Sequence, residues 1–174
     1  MSYLGTTQTL FVKEVSNEGA YLDGHDLGEV FLPKQEIKHE LEAGDSISVF
    51  IFLDNANLAT ATIKKPHAQV GEYALLRVKE INSIGAFLDW GLEKDVLAPF
   101  NEQKPRMQEG HSYLVRLYLD NASQRICASN NFYRFLSKDE PQYTHLQEVD
   151  LIVAGKTDIG YKVLIEESHF GVVF

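Results

Sequence analysis

Gly19-Ala20-Tyr21-Leu22-Asp23 returns 66 residues later as Gly85-Ala86-Phe87-Leu88-Asp89. Around this pair the match extends over residues 5–63 and 71–129 without a gap, with about a third of the aligned residues identical. Val12-Lys13-Glu14 recurs as Val78-Lys79-Glu80, and Leu53-Asp54-Asn55-Ala56 as Leu119-Asp120-Asn121-Ala122. Pro33 and Gly44 recur as Pro99 and Gly110. A unit of this length is too long for most solenoid repeats and suits a small closed barrel.

Within the first unit, Thr9–Val15, Ala20–Asp23 and Val30–Leu32 read as short strands. A connection with some helical character then runs from Pro33 to Gly44. Ser46–Leu53 reads as a long alternating strand, Asp54–Asn57 as a turn and Leu58–Ile63 as the return strand. The second unit repeats each element. Five short strands in so few residues predict an all-β protein of tandem five-stranded OB-type barrels. The expected domains are residues 1–66 and 67–137, then a polar linker at 138–146. A partial third unit spans 147–174, with strands expected at Val149–Val153, Tyr161–Glu166 and Gly171–Phe174.

Charge and composition narrow the function. The chain of 174 residues has a net charge of −9, which argues against a protein that holds nucleic acid chiefly through phosphates. The acidity lies in the flanks, at −5 over residues 1–66 and −4 over 138–174, while residues 67–137 are neutral. The middle unit is therefore where an anionic ligand is expected. No apolar run is long enough to span a bilayer, and the first residues lack a basic start and an apolar core. Together with a single cysteine, Cys127, this points to a cytoplasmic protein that binds no membrane. Cys127 reads as a small buried hydrophobe rather than a nucleophile.

Strand alternation selects the candidate binding residues. Ala20 and Leu22 share an inward face, so Tyr21 points out; Val30 and Leu32 turn Phe31 out in the same way. Phe87 holds the position of Tyr21 in the second unit, and Leu97 that of Phe31. The second unit adds Arg77, Lys79 and Arg125. Aromatic faces flanked by cations suit single-stranded nucleic acid, whose bases stack and whose backbone needs countercharge. The same aromatics could instead complete a core or a contact between units.

The run Asn82–Asp89, with Leu117–Ser129, resembles the S1-type RNA-binding domain. That resemblance implies an RNA face made of the second aromatic of a Phe-Gly-Ala-Phe motif, a third-strand His, an Asp before the last turn and an Arg opening the last strand. Phe87, Asp120 and Arg125 match in the second unit, and Tyr21 and Asp54 in the first. The first aromatic is replaced by Glu18 and Ile84, the His by Phe31 and Leu97, and the Arg of the first unit by Ala59. Two such units followed by Thr157–Val163 and His169-Phe170-Gly171 resemble the conserved virulence factor B family of bacterial proteins. That family has three S1-type domains and a winged helix, so the resemblance implies RNA binding and a role in gene regulation. It also implies a chain that stops inside its third domain.

No catalytic constellation, metal-ligand spacing or cofactor motif stands out. Gly155-Lys156-Thr157 looks like the end of a phosphate-binding loop, but Asp150 occupies the place of its required earlier Gly. The sequence thus predicts a non-enzymatic protein that binds single-stranded RNA, second unit first, without cofactor. The alternative is a scaffold of degenerate barrels docking a basic partner. The apolar third unit, with its unpaired strand edges, predicts association with the second unit or as a homodimer.

Overall fold

The computed structural model describes residues 3–174. β1 (Thr7–Val15), β2 (Gly19–Asp23), β3 (Glu29–Pro33), β4 (Ser46–Leu53) and β5 (Ala59–Thr62) close a barrel in the order β1-β2-β3-β5-β4. β6 (Tyr73–Ile81), β7 (Gly85–Asp89), β8 (Val96–Pro99), β9 (Ser112–Leu119) and β10 (Ile126–Ser129) close a second in the same way. Both closures are parallel pairings, at Phe31 with Thr60 and Leu97 with Cys127. β11 (Leu151–Thr157), β12 (Gly160–Ile165) and β13 (His169–Val173) form a separate three-stranded sheet. The expected all-β tandem-barrel fold is what forms. The connection after Pro33 holds a single short 3-10 turn at Lys34–Glu36.

The glycine of the repeated motif is required by a close approach between strands. A Cβ at Gly19 would run into the carbonyl oxygen of Leu32, and one at Gly85 into that of Ala98. Gly160 stands in the same relation to Val173, 13 residues on in each case. A β-bulge recurs too: the register slips between Val12 and Glu14, between Val78 and Glu80, and between Val153 and Gly155. The third sheet is therefore built as β1-β2-β3 of a barrel. Across the bulge, Tyr21, Phe87 and Lys162 are equivalent.

Two sequence expectations change. The constant offset of 66 fails after the last turn. Ala59 pairs with Leu53, whereas Ile126 pairs with Leu119, so the second barrel's turn is one residue longer. Asp54 N–H donates to the Leu58 carbonyl, and Asp120 N–H donates to that of Arg125. Leu58, not Ala59, is thus the counterpart of Arg125. The second change is in β4. Val49 and Ile51 fill the first barrel's core, but Phe50 between them is fully buried too, within the core cluster of the second barrel. Its ring meets Trp90 edge-on at a centroid distance of 5.5 Å. The second barrel covers the outer face of β4, so alternation gives way to a continuous apolar run.

Residues up to Asn130, both barrels included, form one compact unit; Asn131–Phe174 form another. The connection between the barrels is pinned by His67 N–H to the Trp90 carbonyl and Val70 N–H to the Gly5 carbonyl, both at 2.8 Å. No helix among the described residues is long and apolar enough to cross a membrane.

Phe50→Ala should cost about 3–5 kcal/mol, the range for deleting a buried aromatic side chain. Because the lost contact joins two cores, denaturant unfolding followed by Trp90 fluorescence should separate from unfolding followed by far-UV circular dichroism. A single coincident transition at unchanged midpoint would show that Phe50 does not couple the barrels.

Candidate nucleic-acid interface

Register places one row of side chains across the outer face of each barrel. In the first barrel Glu14, Tyr21, Phe31, Thr60 and Phe52 lie on successive paired strands. The matching row of the second is Glu80, Phe87, Leu97, Cys127 and Tyr118. Tyr21 and Phe31 pack together with centroids 5.3 Å apart and planes tilted by 46°. Phe87 is half-buried beside Leu97, so this barrel presents one aromatic and an aliphatic floor.

A groove of about 340 Å³ lies over the row of the second barrel. Ile84, Phe87, Leu97, Lys94 and Arg125 line it from the second barrel. Its other wall comes from the first barrel, as Phe52, Leu53 and Asn55. The Arg125 Nη2 donates to Asn57 Oδ1 at 3.2 Å, and the Lys94 Nζ to the Leu53 carbonyl at 3.1 Å. Both cations therefore rest on the β4–β5 turn of the first barrel. Neither has an ion-pair partner among the described residues. Burial, then the charge of Arg125, hold the Lys94 ammonium below its ordinary pKa, with Asp54 opposing.

Of the residues singled out from sequence, Phe87 and Arg125 meet in this groove. The others lie elsewhere. Tyr21 and Phe31 sit on the first barrel's own face. The Lys79 Nζ is 3.0 Å from Asp95, and that hydrogen bond, then the carboxylate charge, raise its pKa. The Arg77 Nε donates to the Gly110 carbonyl at 3.2 Å. The Asp120 carboxylate accepts from the Ser123 N–H at 2.8 Å and from its hydroxyl at 2.6 Å. Asp54 accepts likewise from the N–H groups of Ala56 and Leu58. Both aspartates shape the turns they open.

Lys94 and the first-barrel wall were missed by sequence reasoning. Lys94 ends the loop Trp90-Gly91-Leu92-Glu93-Lys94, which faces Gly24-His25-Asp26-Leu27-Gly28 in the repeat with no residue in common. That divergence was the available signal. Trp90 anchors the loop, its indole N–H donating to the Lys94 carbonyl at 2.5 Å. Among the described residues no three His, Cys, Asp or Glu side chains are placed to hold a metal ion.

The family model of the S1 domain matches residues 4–64 and 70–129. YitL of Bacillus subtilis is 31% identical over 103 residues, covering 58% of this chain and 34% of that protein. Conserved virulence factor B of Staphylococcus haemolyticus is 27% identical over 179 residues, covering 91% of this chain. The chain spans 60% of the length of that relative. In its fold the chain is similar to a crystal structure from Streptococcus pneumoniae, described as a multidomain protein with nucleic acid binding domains. The TM-score is 0.63 at 21% identity, over 99% of this chain and 62% of that one.

Cys127 lines the groove yet is nearly inaccessible, and burial, then the Asp120 charge, push its thiol up to about 11. The folded thiol is therefore protonated at neutral pH, and its contribution to stability is lost only as pH rises from the unfolded value through the folded one. Alkylation by iodoacetamide at pH 8 should be slow on the native protein and fast in denaturant. Equal rates in both states would contradict the burial.

Proposed function

The chain belongs to the S1 domain family, within the conserved virulence factor B group, and on that premise we propose that it binds single-stranded RNA in the second barrel's groove. The observation that carries this reading is the meeting of Phe87 with Arg125 and Lys94 in one groove. A base stacks on Phe87 and on the apolar floor of Leu97; the two cations meet the backbone. The neutral charge of residues 67–137 removes the repulsion that the acidic flanks would exert. The protein acts in the cytoplasm, in gene regulation, without catalysis. Whatever further activity the longer relatives have is part of the same proposal.

A second reading applies to the first barrel's sheet face. Leu58 stands where the second barrel has Arg125, and residues 1–66 carry −5. That face suits a basic protein segment better than RNA.

Phe87→Ala should weaken binding of an unstructured RNA oligonucleotide by about 1–3 kcal/mol, the range for loss of one stacked base. Arg125→Ala should weaken it as well, and reduce the slope of log affinity on log salt by about 0.7–1. Fluorescence anisotropy across a salt series reads both. If Tyr21→Ala costs as much while Phe87→Ala costs nothing, the groove is wrongly assigned.

The third sheet supports self-association as part of this reading. Leu151, Val153, Tyr161 and Val173 share the face that corresponds to a barrel interior, and all four are exposed. Apolar faces of this kind recruit partners. Sedimentation should show a dimer that Val153→Glu converts to a monomer, with RNA affinity per chain unchanged. A wild-type monomer at every concentration would end the dimer proposal alone.

A further inference from the structure

A second cavity adjoins the RNA groove. It measures about 370 Å³ and lies between the barrels, lined by Glu36, Thr60, Thr62 and Lys64 of the first barrel and Leu92 and Glu93 of the second. The two cavities share Phe52, Asn55, Trp90 and Lys94, so they adjoin along these side chains. Asn55 stands at the junction, on the β4–β5 turn of the first barrel. It is exposed. The same turn holds both cations of the groove, through the Leu53 carbonyl and the Asn57 side chain.

We propose that the RNA site is composite: the strand leaves Phe87, passes between Lys94 and Asn55, and enters the cleft between the barrels. The first barrel then takes part through its β4–β5 turn and not through Tyr21 and Phe31. This rests on the RNA reading given above and extends it to a second binding surface. Three features carry it. Lys94 and Arg125 are neighbouring cations with no carboxylate within ion-pair distance, so a phosphate between them would meet two positive charges, while Asp54 and Asp95 line the same two cavities. An ammonium has three donors and a guanidinium five, and the turn takes one bond from each, so donors remain for an anion. Beyond the junction the cleft is lined by Thr60 and Thr62, whose hydroxyls donate to the Leu58 carbonyl and to Glu36, and by a third cation, Lys64. Glu36 and Glu93 pair with Lys64 at 3.9 and 3.0 Å and keep that end from being a general anion trap. A strand that reached the cleft would compete with those two carboxylates for Lys64.

The test uses the full chain and an unstructured RNA of about 10 nucleotides, within the span that one OB barrel covers. Asn55→Lys should tighten binding severalfold and steepen the salt slope by about 0.7, the increment for one phosphate on a single strand. Asn55→Glu should weaken binding severalfold. The same charges placed by Ala43→Lys and Ala43→Glu, near the opposite end of β4, should leave affinity unchanged and so remove a general charge effect. Lys94→Gln should weaken binding and flatten the slope. If the Asn55 variants behave as the Ala43 variants do while Phe87→Ala still weakens binding, the first barrel is a bystander and the composite site is wrong. If Phe87→Ala and Lys94→Gln have no effect either, the RNA reading itself falls.

Discussion

The burial of Phe50 against Trp90 is the contact on which the rest of this arrangement depends. A strand on the wall of a small barrel normally shows one face to its own core and the other to water. Here β4 is apolar on both faces: Val49 and Ile51 serve the first barrel, Phe50 and Phe52 the second. With its outer face buried, β4 cannot leave the second barrel, and the turn that follows it must stand beside that barrel's sheet. The groove over Phe87 owes its second wall to this. In β9 the positions of Phe50 and Phe52 are held by Arg116 and Tyr118. Arg116 lies over the Tyr73 ring and bonds its hydroxyl at 3.3 Å. The repeat is thus symmetric in its cores and asymmetric in its outer faces, and the site arises where the asymmetry lies.

What could be read from the chain alone follows from this division. Inward positions such as Ala20, Leu22, Val30 and Leu32 are set by a local rule, alternation, and each is fully buried. Gly19 and Gly85 mark where two strands come too close for a Cβ, so they repeat with the fold. Phe50 could not be read this way. Its burial depends on a body 40 residues further along the chain, and no local pattern encodes that contact. The longer last turn was hidden for another reason. Leu-Asp-Asn-Ala is identical in both copies, so a gapless alignment passes through it. The extra residue is absorbed just after, where Asn57 and Gln124 both take a positive φ before the return strand.

The candidate site was legible to the same degree. Phe87 and Arg125 belong to the strand and turn pattern and emerge from it. Lys94 sits in a loop with no pattern and gains its place from Trp90 beneath it and Leu53 beside it. Asp120 is the opposite case. Resemblance makes it a binding residue, while its carboxylate is occupied in holding the turn that presents Arg125. Its influence on a ligand would then pass through the position of that arginine.

The third sheet inverts the logic of the barrels. Its equivalent of Phe87 is Lys162, whose ammonium lies 3.7 Å from the Phe170 ring centroid and donates to the Tyr133 hydroxyl at 2.9 Å. Tyr133 and Phe170 also pack edge-on at 5.0 Å. A face that is open on the barrels is here covered by the protein's own aromatics, and the cation that could meet a phosphate is engaged in cation–π contacts. On the opposite face, which each barrel seals inside, Val163 is buried but Leu151, Val153, Tyr161 and Val173 around it are exposed. A sheet so arranged has little to offer a nucleic acid and much to offer another apolar surface. The groove proposed for RNA and the apolar face proposed for association therefore belong to different parts of the chain, and a change to one can be made without touching the residues of the other.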